Sequence, residues 1–245
     1  MPEFTNRIAL VTGASRGIGA SVALALAERG AHVVAVARTV GGLEELDDKI
    51  RAAGGTATLV PLDLRDTPGL ERLAAALLER FKHLDILIGN AGLGGPSSPL
   101  THVQTQPWDD VIAVNVTANW HLIRTMDDLL QRAEHGRAVF VTSSSASNAR
   151  AYRGPYSVSK AALDALVRTY AAETATTKVK VNLFNPGPTR TRMRAAVMPG
   201  EDPLTLPSAD EVAEQLIGLC LPGITDSGKL YDFTSRRMLS FRAPG

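Results

Sequence analysis

The chain is expected to fold as α/β: a doubly wound parallel sheet of about seven strands with helices on both faces. Three features of its 245 residues predict this. Apolar runs of strand length alternate with longer segments of helical period. Those runs are continuously apolar, as strands buried on both faces must be. A glycine-rich turn leads from the first run straight into the first helix.

Taken in order, Ile8–Val11 is the first run, and Gly17–Arg29 is the helix after the turn, with Leu24, Leu26 and Ala27 among its apolar positions. His32–Ala37 is the second run and Leu43–Ala53 its helix. Thr56–Pro61 follows, then Pro68–Phe81, where Leu70, Leu73, Leu77 and Leu78 recur at helical spacing. Asp85–Ile88 precedes the long helix Trp108–Ala133. Ala138–Thr142 precedes Tyr156–Thr174, and Val179–Phe184 is the sixth run. After an excursion comes the helix Asp210–Leu219, and Gly228–Phe233 makes a seventh strand. Each helix then serves as a right-handed crossover between parallel strands. No repeat or linker divides the chain, so residues 1–245 read as one domain. Residues 187–208 are rich in proline and charge without a period, and are expected to form a substrate lid.

Composition narrows the function classes. With 44% hydrophobic and 21% charged residues the chain can bury a sizeable core. Its 26 basic and 25 acidic residues leave a net charge of +1, which gives no global field towards nucleic acid or an anionic membrane. A small molecule is the expected partner. The histidines at 32, 83, 102, 121 and 135 lack metal-ligand spacing, and no metal is expected. Trp108 and Trp120 read as packing residues, and the single cysteine, Cys220, as a buried thiol. Met1–Arg7 has no leader character and no apolar stretch reaches the ~18 residues of a membrane span, so a cytoplasmic protein is expected.

The turn Thr12-Gly13-Ala14-Ser15-Arg16-Gly17-Ile18-Gly19 carries the first functional signal. Glycines there let the backbone approach a pyrophosphate, whose charge meets free N–H groups and the positive end of a helix dipole. The Gly-Lys-Ser/Thr ending of a triphosphate-binding loop is missing. The second strand ends at Arg38, where an NAD-binding fold offers a carboxylate to the ribose. A carboxylate would repel a 2′-phosphate, whereas Arg38 can grip one, with Arg16 in reach. NADP(H) is therefore expected in preference to NAD(H).

Tyr156-Ser157-Val158-Ser159-Lys160 sets a phenol and an ammonium one helical turn apart on one face. A tyrosine of pKa ~10 is a poor acid or base near neutrality. A positive charge ~4 Å away at an effective dielectric of ~20 would favour the phenolate by up to ~4 kcal/mol, so Lys160 is expected to draw Tyr156 towards the working pH. Ser143, Ser144 and Ser145 follow the run Ala138–Thr142, where the carboxyl end of a central strand opens into the crevice. Position leaves the choice among the three open.

These motifs, together with Asp63, Asn90-Ala91-Gly92, Asn115 and Pro186-Gly187 followed by Thr191, span nearly the whole chain. With them the sequence resembles the short-chain dehydrogenase/reductase family, whose fold is Rossmann-like. The resemblance implies a cofactor site made of Gly13, Ser15, Arg16, Gly17, Ile18 and Gly19 with Arg38. Asp63 and Leu64 would lie at the adenine, Asn90, Ala91 and Gly92 along the cofactor, and Pro186, Gly187, Thr189 and Thr191 at the nicotinamide. Tyr156 would be the acid in reduction, Ser143 would polarise the carbonyl, and Lys160 would bind the nicotinamide ribose. Asn115 would hold a water linking Lys160 to solvent. A homo-oligomer, dimer or tetramer, is implied as well.

Two positions depart from the family pattern. Gly89 stands where asparagine often precedes Asn90, a difference expected to matter little. The tail Thr234–Gly245 replaces an Asp-Gly-Gly turn and is expected to be solvated, with Arg236, Arg237 and Arg242 exposed. The function expected is hydride transfer between NADPH and a carbonyl or alcohol, with a 3-oxoacyl thioester or another small ketone as substrate class. The alternative is a catalytically silent NADP-binding sensor or scaffold on the same fold. The lid charges Arg192, Arg194, Glu201 and Asp202 do not select a substrate.

Overall fold

A computed structural model of the chain describes residues 3–241. Eight strands form one sheet: β1 (Ile8–Thr12), β2 (His32–Ala37), β3 (Thr56–Pro61), β4 (Ile86–Gly89), β5 (Arg137–Val141), β6 (Lys180–Asn185), β7 (Leu230–Asp232) and β8 (Arg237–Leu239). Their order is β3-β2-β1-β4-β5-β6-β7-β8, parallel from β3 to β7. The order reverses between β1 and β4, and in open α/β sheets ligands bind at the carboxyl ends of strands flanking such a switch.

The helices are α1 (Gly17–Glu28), α2 (Val40–Ala52), α3 (Thr67–Phe81), α4 (Thr105–Ile112), α5 (Ala118–Arg132), α6 (Ser145–Asn148), α7 (Gly154–Glu173), α8 (Arg192–Val197) and α9 (Ala209–Gly218). Successive strand residues point to opposite faces. Ala9, Val11, Val33, Ala35 and Phe184 therefore pack with Val22, Leu26, Leu43 and Leu216 of α1, α2 and α9. Leu10, Val34, Leu87, Phe140 and Leu183 pack with Leu73, Leu122, Met126 and Val167 of α3, α5 and α7. This two-sided burial is what the uninterrupted apolar runs anticipate.

Three local features differ from the expected pattern. The helix expected over Trp108–Ala133 begins earlier and is interrupted by a π-turn, Ala113–Thr117, between α4 and α5. An apolar stripe cannot reveal an interruption that leaves both halves amphipathic. The excursion 187–208 holds α8 and a 3-10 turn, Pro203–Thr205, each too short to generate a readable period. The tail is not simply solvated: β8 pairs antiparallel with β7, Asp232 opposite Arg237. The side chains of Arg236 and Arg237 remain exposed. Arg242 lies outside the described residues, as do the first two residues of the chain.

Gly89 has a packing reason. A Cβ built there would stand 2.3 Å from Cδ1 of Phe140 and 2.7 Å from Oδ1 of Asn119, so the Phe140 ring occupies the space a side chain would need. Gly89→Ala is expected to destabilise the protein by about 1–3 kcal/mol through overpacking, with much of the loss recovered in the double variant with Phe140→Leu. Urea unfolding of the single and double variants measures both.

Candidate active site

At the carboxyl ends of the strands lies a cavity of about 490 Å³, bordered by the turn after β1, the ends of β2 to β5, and α8. Its first wall is the glycine-rich turn. Gly13 takes φ +66°, a left-handed conformation open to glycine at little cost. A Cβ on Gly19 would lie 2.4 Å from both the Gly13 carbonyl oxygen and Nδ2 of Asn90. Gly19 thus lies beneath the turn, while Gly13, Ser15, Arg16, Gly17 and Ile18 line the cavity.

Thr12, which opens the glycine-rich motif, ties this wall to the next. Its buried hydroxyl donates to the Ile88 carbonyl at 3.1 Å and accepts from the amides of Asn90 and Ala91 at 3.0 and 3.1 Å. Asn90 Nδ2 donates back to the Thr12 carbonyl at 2.9 Å. Asn90, Ala91 and Gly92 are thereby held along the middle of the cavity.

At one end stand Arg38, Asp63 and Leu64. Arg38 is exposed, and its Nη1 lies 3.8 Å from Asp63. Arg65, a residue the motifs did not point to, grips the same carboxylate through Nε and Nη2, the latter at 2.7 Å, and reaches Asp110 with Nη1 at 2.7 Å. The Arg65 hydrogen bonds hold the Asp63 carboxyl below its ordinary pKa. Asp63 stays ionised with Arg65 as its nearer counter-charge and the exposed Arg38 as its more distant one.

At the other end Tyr156 and Lys160 project from α7. Of the three serines, Ser143 is the one whose hydroxyl acts on the Tyr156 phenol, drawing its pKa down. Ser144 N–H turns to Asn185 Oδ1 at 3.2 Å, and Ser145 N–H to Ser143 Oγ at 3.2 Å. Pro186 and Thr191 close this end, and Thr191 also caps α8 by accepting from the Arg194 amide. Thr189 is buried with its hydroxyl donating to the Pro186 carbonyl at 3.2 Å, and Gly187, at φ +63°, turns the chain beneath it.

The electrostatics of the pair run against the sequence expectation. Burial pushes the Tyr156 phenol above its ordinary value, opposed by the Ser143 hydrogen bond and by the charge of Arg153. Lys160 Nζ donates to the Val141 carbonyl at 2.7 Å and sits 5.8 Å from the Tyr156 ring centre. Its own burial lowers it to about 8, against the pull of Asp164. Desolvation is the largest influence on both groups, and residue spacing does not disclose it.

Asp164, one further turn along α7, hydrogen-bonds Thr142 and is raised by burial to about 6. A carboxyl whose folded value lies near 6 rather than 3.8 contributes stability that is complete below pH 3.8 and lost as pH rises through 6. The stability of the native protein relative to Asp164→Asn is thus expected to be greater at low pH, by on the order of 2–3 kcal/mol between mildly alkaline and acid buffer. Urea unfolding of both proteins across that range checks the sign.

Asn115 sits fully buried in the π-turn, behind Gly92. Its Oδ1 accepts from the Leu93 amide at 2.8 Å, and its Nδ2 donates to the Leu93 carbonyl at 3.0 Å and to Ser159 Oγ at 2.9 Å. Ser159 donates onward to the Tyr156 carbonyl at 2.8 Å. The side chain joins the cavity's middle wall to the helix that carries Tyr156.

Comparison with known proteins agrees with this geometry. The short chain dehydrogenase family model matches residues 7–202. The chain is 34% identical over 210 residues to the uncharacterized oxidoreductase YciK of Escherichia coli K12, covering 84% of this chain and 83% of that protein. A short chain dehydrogenase of Shigella flexneri 2a, solved in complex with NADP, superposes with a TM-score of 0.90 at 32% identity, covering 95% of this chain and 99% of the other. One from Escherichia coli CFT073, in complex with NADPH, gives 0.86 at 33% identity over 94% and 98% of the two chains. With a switch-point cavity, a glycine-rich turn and a Ser–Tyr–Lys group in a matching frame, the chain belongs to the short chain dehydrogenase family.

Proposed function

We propose that the protein is an NADPH-dependent reductase of a small carbonyl compound, working through Ser143, Tyr156 and Lys160. The observation that carries this is the layout of one cavity, with the cations Arg16 and Arg38 at one end and Tyr156 and Lys160 at the other, where Ser143 acts on the Tyr156 phenol. The cavity residues fit the cofactor: Gly13 and Gly19 let the turn pack closely on Asn90, which a Cβ would prevent, and Arg16 and Arg38 line the cavity and offer cations to a 2′-phosphate. The NADP and NADPH complexes of the relatives favour the same cofactor.

Carbonyl reduction needs a hydride on carbon and a proton on oxygen. NADPH, when bound, supplies the hydride. Tyr156 gives its phenolic proton to the oxygen, and the Ser143 hydroxyl donates a hydrogen bond to that oxygen as charge develops. Lys160, with its ammonium on the inner side of Gly92, stabilises the tyrosinate left behind and holds the ribose. The segment 187–208 acts as the lid, since Thr191, Arg192, Met193 and Ala196 form the cavity's outer wall. The whole chain is one catalytic unit that works as a homo-oligomer, which sedimentation measures.

Arg38→Ala is expected to weaken NADPH binding by about 1–3 kcal/mol, the scale of a hydrogen bond to a charged group, and to leave NADH binding within about twofold. Fluorescence titration with both cofactors tests this. Equal loss for NADPH and NADH would count against a phosphate contact.

A further inference from the structure

Two arginines are held partly out of water, and they are treated differently. The Arg137 guanidinium donates to five backbone carbonyls, those of Gly136, Lys178, Leu221, Pro222 and Ile224. Arg153 has nothing comparable. Its Nη1 is buried without a hydrogen-bond partner, and among the described residues no carboxylate pairs with it. Burial holds its pKa below the ordinary value, and the like charge of Arg194 lowers it further. An unpartnered guanidinium withdrawn from water is unfavourable unless something meets it.

The backbone is strained to put it there. Ala149 and Tyr152 adopt φ +43° and +65°, the left-handed region that bulky side chains avoid. The Ser98 amide secures the turn by donating to the Tyr152 carbonyl at 3.1 Å. Arg153 Cζ consequently lies 5.0 Å from the centre of the Tyr156 ring. A Cβ on Gly94 would stand 3.7 Å from Arg153 Nη2 and 3.6 Å from Met193 Cγ, so the glycine keeps a gap open between arginine and lid. The lid's own cation is already engaged: Arg194 binds Glu201 through Nε and Nη2 at 2.5 and 2.6 Å.

We propose that Arg153 is a specificity-determining residue that receives the carboxylate or phosphate of a short oxo substrate whose carbonyl lies at Tyr156. The planar guanidinium fork matches either oxyanion. Because the cation overlies the ring of the proton donor, anion and carbonyl belong to one small molecule and are a few bonds apart. This inference rests on the carbonyl-reductase reading and names its substrate class.

The test has a binding arm and a rate arm, on the protein saturated with cofactor. Oxamate, its neutral counterpart oxamide, and inorganic phosphate are titrated calorimetrically into native protein, Arg153→Met and Arg153→Lys. Oxamate is expected to bind native protein ~10-fold or more tighter than oxamide, with the preference falling to within ~2-fold in Arg153→Met and partly retained in Arg153→Lys. In kcat/KM, Arg153→Met should lose an oxo acid at least ~10-fold more than its methyl ester. Phosphate bound more tightly than oxamate would identify a phosphate-bearing carbonyl, and the reverse a carboxylate.

Equal binding of oxamate and oxamide to native protein overturns the proposal. So does a uniform rate loss for acid and ester with a shifted pH profile, which would make Arg153 a positioning residue for Tyr156. An Arg153-dependent oxamate preference in a protein that reduces no carbonyl would keep the anion site and discard the reductase reading.

Discussion

Tyr156→Phe is expected to lower NADPH-dependent carbonyl reduction by about 10²- to 10⁴-fold, the span over which a positioned general acid accelerates proton transfer. The substitution keeps the ring that lies under Arg153 and removes only the hydroxyl. NADPH affinity should therefore change far less than turnover. The phenol sits above its ordinary value, so it stays protonated through neutrality and is ready as an acid. The native protein should thus favour reduction up to mildly alkaline pH, and stopped-flow single turnovers separate this chemistry from binding. Turnover unchanged by the variant would mean that the proton comes from elsewhere. A native protein that binds NADPH but consumes none with any carbonyl would be a nucleotide sensor instead.

Asn115→Ala is expected to cost about 2–4 kcal/mol of stability and most of the activity, because it strands three partners at once. The Leu93 amide and carbonyl and the Ser159 hydroxyl all lose the group they bind. Removing one buried partner leaves the others with their desolvation cost unrelieved, which is why the effect exceeds that of a single average hydrogen bond. Urea unfolding measures the stability loss. The cavity wall that includes Gly92 should loosen with it, so NADPH affinity is expected to fall in parallel. A variant as stable as the native protein would assign these bonds no net worth.

The layered fold was legible because the central strands are buried on both faces, which writes itself into sequence as uninterrupted runs such as Val33–Ala37. The glycine-rich turn and the Tyr156–Lys160 spacing were legible because local geometry demands particular residues at particular intervals. Arg65, Arg153, Asp164 and the bonding role of Thr12 were not. Each acts through partners distant in sequence or on another element, as when Thr12 binds Ile88, Asn90 and Ala91. The raised Tyr156 likewise follows from how deeply the assembled fold encloses it, a quantity with no trace in spacing. The strand β8 is only three residues long and half exposed, so neither length nor apolarity announced it.

The π-turn at Ala113–Thr117 has a consequence for how this chain can change over descent. It takes one residue more than a regular turn, and each residue of an α-helix rotates the next by about 100°. Deleting one residue here would let the helix run straight through while rotating Asn115 away from Leu93, or else turning Leu122, Met126 and Leu129 out of the core. Changes in the length of this segment are closed to it, as is substitution of Asn115. Insertions and deletions should therefore gather in the connections around it, and the distance in residues from Asn115 to Leu122 should behave as a fixed interval.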